Sequence, residues 1–94
     1  MAQERYSELP YTYQLDGKIE TGYIDLLYRS QKGWQIVDFK TDSIRRDEER
    51  ADLIGKYAPQ MRRYANAVET MMSKKAQTRI CFLDNQGKVE LVEI

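Results

Sequence analysis

Two aspartates and a lysine on neighbouring predicted strands are the residues best placed for chemistry. Asp25 lies in the apolar segment 18–29, and Asp38 and Lys40 lie in the segment 34–40. Paired carboxylate oxygens favour Mg²⁺ or Mn²⁺ over zinc. Such a cation lowers the pKa of a bound water, and Lys40 would orient that water or neutralise the developing charge. The pattern indicates hydrolysis of a phosphodiester by a metal-activated water, without a covalent intermediate.

The pairing of these two strands follows from the short loop between them. Residues 30–33 form a polar loop that pairs Arg29 with Trp34. Directly opposed residues of an antiparallel hairpin all share one sum of residue numbers, and Asp25 with Asp38 has that same sum. The two carboxylates are therefore expected on one face, with Cβ atoms roughly 4.5–5.5 Å apart. A slip of the register by one residue would move Asp25 to the other face.

A predicted helix over residues 57–73 supplies the second element. Its apolar positions are spaced four or three residues apart, which is typical of one helix face. They are Tyr57, Met61, Tyr64, Val68 and Met71 or Met72. Gln60 and Tyr64 are four residues apart and so lie on the same face. If that face covers the sheet, a carboxamide and a phenol reach towards the aspartates, and both groups suit phosphate or a metal-bound water.

The remaining elements predict an α+β fold of order β-β-β-α-β-β, in which the first three strands form an antiparallel meander. The predicted strands cover residues 11–15, 18–29, 34–40, 79–83 and 88–94. Asp16-Gly17 is a strong signal for a two-residue hairpin turn. Residues 41–52 are expected to be a polar connection with a short helical turn near 48–53. Gly55 is expected to interrupt the helix and Pro59 to lie in its first turn.

Composition restricts the possible chemistry. The 94 residues suit one domain, and 15 Lys+Arg balance 15 Asp+Glu. The absence of histidine excludes Ser-His and Cys-His catalytic pairs, and one cysteine excludes a disulfide framework and a cysteine-rich metal site. No apolar run is long enough to span a membrane, and the first ten residues have no signal-peptide character.

Three short motifs occur in order along the chain. They are Gly22-Tyr23-Ile24-Asp25, then Val37-Asp38-Phe39-Lys40-Thr41, then Tyr57 with Gln60-x-x-x-Tyr64. Each motif is weak alone, but together they resemble the RecB-type nuclease domain at the C-terminal end of AddA and RecB helicase–nucleases, in the PD-(D/E)xK superfamily. The resemblance covers roughly residues 16–72, and the last two strands also suit that fold.

The resemblance implies a restriction-endonuclease-like core and a Mg²⁺-dependent deoxyribonuclease, an exonuclease that processes DNA double-strand ends in recombinational repair. It implies that the substrate is single-stranded DNA ends and that the partner is a helicase, present either on the same chain or on a separate one. The implied location is the bacterial cytoplasm, at the nucleoid. Residues 1–94 would be one nuclease-like domain and a fragment of a larger helicase–nuclease.

Carried over by position, the resemblance implies roles for individual residues. Asp25 and Asp38 would bind Mg²⁺ or Mn²⁺, with the backbone carbonyl of Phe39 as a third ligand. Lys40 would be the catalytic lysine.

The helix would complete the site. The resemblance implies that Gln60 and Tyr64 shape the active site and contact DNA, while Tyr64 also packs in the core. Tyr57, Arg62 and Arg63 are further candidates for contact with nucleic acid. A solvated surface laced with salt bridges is the simpler interpretation of the two arginines.

Other interpretations stay open, because the chain departs from the family in two ways. The family core begins with a helix, but no helix is predicted before the first strand here. RecB and AddA members also use an upstream histidine, and this chain has no histidine. One alternative is a non-catalytic nuclease-like module that binds DNA or protein. Another is an unrelated α+β interaction domain, which predicts that Asp25 and Asp38 lie far apart. Trp34 is expected to cover the sheet, with stacking on DNA as an alternative, and Cys81 to be a small core residue.

Overall fold

Five strands and one helix follow one another in the order β-β-β-α-β-β, which confirms the predicted α+β class. The computed structural model describes residues 4–94, with the backbone alone at residue 15. The first three residues of the predicted 1–94 domain lie outside the described residues. The elements are β1 (Arg5–Leu15), β2 (Lys18–Ser30), β3 (Gly33–Ile44), α1 (Asp47–Met72), β4 (Ala76–Asn85) and β5 (Lys88–Glu93).

The strands form one mixed sheet in the order β1-β2-β3-β4-β5. The first three strands are the predicted antiparallel meander. Strands β3 and β4 are parallel, with α1 as the connection between them, and β5 returns antiparallel to β4. Asp16 (φ 51°) and Gly17 (φ 77°) both adopt the left-handed conformation that a type I′ turn requires, so the predicted hairpin turn is confirmed.

The helix is longer than predicted. It begins at Asp47 instead of Tyr57, so the predicted short turn near 48–53 belongs to it, and Gly55 does not interrupt it. Pro59 lies inside the helix rather than in its first turn. Because proline has no N–H, this position gives no hydrogen bond to the carbonyl of Gly55.

The predicted connection 41–52 is wrong for a related reason. Its first part extends β3 as far as Ile44, which is buried, and its second part is the first turns of α1. Leu53 and Ile54 pack against the core, and this burial favours helix where local composition did not. Three acidic residues in the first turn also interact favourably with the helix dipole.

The core lies between α1 and one face of the sheet. The helix contacts β1, β3 and β4 and buries Met61, Tyr64, Ala67 and Val68, in agreement with the predicted apolar spacing. Trp34 is also buried and stacks on Tyr6 at 6.3 Å between ring centroids, as expected of a strand aromatic. No helix in residues 4–94 is both long enough and apolar enough to cross a membrane.

The alternation of faces is broken in β1 and β2 at one position. Ile24 and Leu27 both lie in the core, although they are three residues apart and a regular strand would point them to opposite faces. Across the pair, Glu8 has φ 49°, and the ladder has no pair between Glu8 and Asp25. The faces therefore switch at Glu8 in β1 and at Asp25 in β2.

The second face of the sheet is covered by no element of the described chain. Phe39, Leu83 and Leu91 are exposed there, at 43%, 43% and 56%. Cys81 is buried, as predicted, and burial raises the pKa of its thiol. It lines a cavity of about 500 Å³ on this second face with Val37 and Phe39, rather than joining the core under the helix.

Candidate active site

The hairpin register brings the two aspartates together. Strands β2 and β3 pair as predicted, with Arg29 opposite Trp34 and Leu26 opposite Val37. The ladder ends at that last pair, one step short of Asp25 and Asp38. Oδ2 of Asp25 then accepts a hydrogen bond of 3.0 Å from the backbone N–H of Phe39. The side chain of Asp25 thus takes the place of a ladder acceptor where the two strands separate.

Asp38 is buried on the side of the sheet that α1 covers. Its exposed fraction is 3%, and its Oδ2 has no well-oriented hydrogen bond although Nζ of Lys40 lies 2.7 Å away. Burial is the largest reason that the pKa of Asp38 is raised. Lys40 opposes this rise, and the nearby Asp25 adds to it through its charge and a hydrogen bond. The two carboxylates are therefore neighbours, contrary to the interpretation that places them far apart.

Lys40 joins the sheet to the helix. Side chains two residues apart on a strand share a face, so Lys40 follows Asp38 on the helix side of β3. Its ammonium donates a hydrogen bond of 3.0 Å to Oε1 of Gln60 and lies 4.1 Å from the centroid of the Tyr57 ring. The predicted approach of Gln60 to the aspartates is thereby realised through Lys40.

Tyr57 is held in turn by a residue that the sequence did not single out. Its hydroxyl donates to Oδ1 of Asp42 at 2.9 Å and to Oδ2 at 3.2 Å. Asp42 lies two residues beyond Lys40 on the same face of β3. The prediction that β3 ends at Lys40 hid this relation, because Asp42 lies beyond the predicted end of the strand.

Tyr64 lies at the other end of the site and is 5% exposed. Its ring packs edge-on against Tyr11, with centroids 5.3 Å apart and an interplanar angle of 74°. Burial, and then the negative charge of Asp38, raise the pKa of Tyr64 well above the usual value for tyrosine. Its phenol is therefore protonated at neutral pH and can donate a hydrogen bond.

The two arginines that follow Met61 differ in their surroundings. Nε of Arg63 lies 3.0 Å from Oε2 of Glu20, and Glu20 also accepts a hydrogen bond of 3.2 Å from the Tyr11 hydroxyl. Arg62 is exposed and forms no ion pair within residues 4–94. The salt-bridged interpretation therefore fits Arg63, and Arg62 is left as the candidate for phosphate contact.

The donor set fits a hard divalent cation, because the buried Oδ2 of Asp38 can accept a further ligand beside the Lys40 ammonium, which lies 2.7 Å away. That oxygen is removed from water and has no well-oriented hydrogen bond, and a cation would relieve the repulsion between Asp25 and Asp38. The described chain contains no cluster of three or more His, Cys, Asp or Glu side chains suited to a metal. The family resemblance implies the backbone carbonyl of Phe39, between Asp38 and Lys40 in sequence, as a third ligand.

The fold is α+β, with a mixed sheet under one helix, and paired carboxylates and a lysine lie between them. This arrangement is typical of a nuclease. A family model described as the PD-(D/E)XK nuclease superfamily matches residues 3–94, and the chain belongs to this superfamily.

Curated relatives agree with the RecB and AddA resemblance. The chain is 30% identical over 101 residues to an ATP-dependent helicase/nuclease subunit of Lysinibacillus sphaericus, covering 95% of this chain and 8% of the relative. It is 35% identical over 102 residues to the protein of the same name from Carboxydothermus hydrogenoformans, covering 93% of this chain and 8% of the relative. For the protein of that name from Desulforudis audaxviator the identity is 33% over 72 residues, with coverages of 77% and 6%. The chain thus spans less than a tenth of the length of these relatives.

Proposed function

We propose that this chain is a metal-dependent deoxyribonuclease domain that hydrolyses phosphodiester bonds with a metal-activated water. The observation that carries the proposal is the contact of Lys40 with Asp38 and Gln60, next to Asp25. A carboxylate pair with one buried and one half-buried member, beside an ammonium group, suits a cation and a negatively charged substrate. Membership of the nuclease superfamily supports the same chemistry.

The metal would be held by Asp25, Asp38 and the carbonyl of Phe39. When bound, Mg²⁺ or Mn²⁺ lowers the pKa of a coordinated water and stabilises charge on a phosphoryl oxygen. Lys40 supplies a positive charge fixed next to this pair, where it can hold the attacking water or stabilise the transition state. Its position is set by the carbonyl oxygen of Gln60, which accepts a hydrogen bond from the ammonium.

The helix supplies the groups that bind the substrate. The Tyr64 phenol is protonated and lies close enough to Asp38 for the charge to raise its pKa, so it can donate a hydrogen bond to a phosphate oxygen. The amide nitrogen of Gln60 is a second donor at the same helix face. Both groups recognise the phosphate backbone rather than a base, which suits cleavage without sequence preference.

The similarity to helicase/nuclease subunits supports the wider role. We propose that residues 1–94 form a nuclease domain of a larger helicase–nuclease, which acts as an exonuclease on single-stranded DNA ends in double-strand-break processing and recombinational repair. Its place would be the bacterial cytoplasm, at the nucleoid.

A titration with Mn²⁺ followed by thermal unfolding tests the site before any cleavage is measured. A cation that binds only the folded state adds about 2.7 kcal/mol at a hundred times its dissociation constant. For a domain of this size that raises Tm by roughly 10–20 °C. We expect this rise in the wild type and in Asp52→Ala, which changes an exposed helical aspartate, and no rise in Asp38→Ala.

Cleavage of single-stranded DNA with Mg²⁺ completes the test. We expect Asp38→Ala and Lys40→Ala to abolish cleavage with the fold intact by circular dichroism, while Asp52→Ala cleaves like the wild type. Retained cleavage in either site variant removes that residue from the mechanism. If Mn²⁺ does not stabilise the wild type, the proposal fails and the non-catalytic DNA- or protein-binding module becomes the better hypothesis.

A further inference from the structure

The ammonium of Lys40 is confined on three sides. Oδ2 of Asp38 lies at 2.7 Å, Oε1 of Gln60 at 3.0 Å and the centroid of the Tyr57 ring at 4.1 Å. The side chain of Lys40 is only 17% exposed. A lysine stem has four rotatable carbons and loses much rotamer freedom when it is fixed. For the Lys40 ammonium to keep this position, the groups that surround it must themselves be held in place.

Tyr57 is fixed at its far end rather than by its ring alone. The hydroxyl shares its proton between both oxygens of Asp42, at 2.9 and 3.2 Å. Burial and then this hydrogen bond raise the pKa of Tyr57, so the phenol stays a donor. The hydroxyl of Tyr57 is bound to Asp42 and one face of its ring lies against Lys40. Both groups are therefore engaged within the protein rather than free to contact DNA.

The contacts between β3 and α1 at this point also set the position of the helix along the strand. Lys40 and Asp42 are two residues apart on β3, where the pairing with β4 shifts its register between Lys40 and Ser43, and both side chains contact Tyr57 of α1. Tyr57 and Gln60 are three apart on α1, which places them side by side on the helix surface. Two strand residues therefore bind two helix residues, and this double contact fixes how far α1 is displaced along β3.

We propose that Asp42 and Tyr57 are positioning residues for Lys40: Asp42 holds the Tyr57 hydroxyl, and the Tyr57 ring holds the Lys40 ammonium beside Asp38. A ring face attracts a cation, and the attraction is larger when the cation is withdrawn from water, as Lys40 is. Lys56 lies farther from the same ring, at 5.2 Å from its centroid, and is exposed. The assignment rests on the proposed function of Lys40.

The test combines a spectroscopic signature with kinetics. The ε-methylene protons of Lys40 are expected to be shifted upfield by the Tyr57 ring current, which is measured by NMR on the 94-residue chain without DNA. Tyr57→Leu removes the ring and should abolish this shift, and Asp42→Ala frees the ring and should reduce it. Asp42→Asn keeps an oxygen that accepts the hydroxyl proton and should preserve it. Ser43→Ala is the control, because it removes a hydroxyl–carboxylate hydrogen bond from the next residue of β3.

Cleavage kinetics then give the size of the effect. We expect kcat to fall about 5- to 30-fold in Tyr57→Leu, the range for loss of a partly desolvated cation–π contact. Tyr57→Phe and Asp42→Ala should each fall less, and their combination should fall no further than either alone, because they remove one hydrogen bond. KM should stay within about twofold in all these variants, because none of them removes a contact that binds the substrate equally in the ground state and the transition state.

Three results would overturn the assignment. One is an unchanged Lys40 shift and kcat in both Tyr57→Leu and Asp42→Ala. Another is a rise in KM at constant kcat, which would make Tyr57 a DNA contact, the role for which the sequence made it a candidate. A third is an equal loss in Ser43→Ala, which would indicate a general effect on the sheet. If the wild type does not cleave DNA, the proposed function fails, and the Lys40 shift alone decides whether Asp42 and Tyr57 position the lysine.

Discussion

Substitution of Gly22 by alanine tests how the strand that carries Asp25 is packed. Gly22 lies directly opposite Tyr11 in the β1–β2 ladder, and the Tyr11 ring covers it. A Cβ atom at this position would lie 3.0 Å from Cε1 of Tyr11, 3.2 Å from its hydroxyl oxygen and 3.3 Å from Cζ. These distances are shorter than normal contacts between carbon atoms. The added methyl group therefore has to displace the ring or the strand.

The cost follows from what surrounds Tyr11. The ring cannot withdraw freely, because it is 5% exposed and packs against Tyr64 at 5.3 Å. Its hydroxyl also donates to Glu20. Overpacking of this kind costs about 1–3 kcal/mol. Alanine recovers about 0.5–1 kcal/mol through the smaller freedom of the unfolded chain. Taking the middle of each range, the net loss is about 1 kcal/mol, or a fall in Tm of roughly 4–8 °C.

Thermal unfolding followed by circular dichroism measures the effect, with Gly55→Ala as a matched control. Gly55 lies in α1 with nothing within 4 Å of its ideal Cβ, so the same substitution should raise stability there by about 0.8–1.0 kcal/mol. In a Tyr11→Ala background the clash is absent, and Gly22→Ala should be neutral or stabilising. A wild-type Tm for Gly22→Ala, or an equal loss in the Tyr11→Ala background, would refute the reasoning.

Two further predictions concern charged residues of α1. Arg62→Ala should lower the slope of log binding constant against log salt by about 0.7 for single-stranded DNA, whereas Arg63→Ala should leave the slope unchanged and lower Tm, because Arg63 is paired with Glu20. The second concerns the ion pair of Arg50 with Glu90, at 2.8 Å. The hydrogen bond from Arg50 lowers the pKa of Glu90, so the stabilisation is present above the unfolded value and is lost as pH falls through the folded value. Urea unfolding should show a difference in the free energy of unfolding between wild type and Arg50→Ala of at most about 1 kcal/mol at neutral pH, because the pair is partly exposed. The difference should be smaller in acid, once Glu90 is protonated. A difference independent of pH would contradict this.

The part of the site that the sequence predicted is the part governed by local geometry. A short loop leaves few ways to pair β2 with β3, so the register that brings Asp25 towards Asp38 could be counted from the residue numbers. The helical period likewise placed Gln60 and Tyr64 on one face. Both inferences need only the periods of regular structure and no knowledge of the tertiary fold.

The part that could not be predicted depends on long-range pairing. Residues 41–52 are polar, and their one fully buried apolar side chain is Ile44. Strand β3 continues because β4 pairs with it, and after a register shift Ser43 lies opposite Asp84. That partner is distant along the chain, so composition near Asp42 gave no sign of a strand. The role of Asp42 beside Tyr57 was hidden for the same reason.

The break in alternation at Asp25 gives a structural reason why the proposed site lies at this point of the sheet. Had the faces of β2 alternated regularly, Ile24 or Leu27 would have left the core, at a cost of about 1.5–3 kcal/mol for an exposed large apolar side chain. The switch of faces keeps both residues buried and leaves the ladder open beside Asp25. The carboxylate then accepts the N–H of Phe39 that the ladder no longer satisfies, and this hydrogen bond holds it near Asp38. The irregularity that keeps Ile24 and Leu27 in the core thus also fixes the Asp25 carboxylate. In a regular ladder the N–H of Phe39 would bond to a backbone carbonyl, and the side chain of Asp25 would not be held by it.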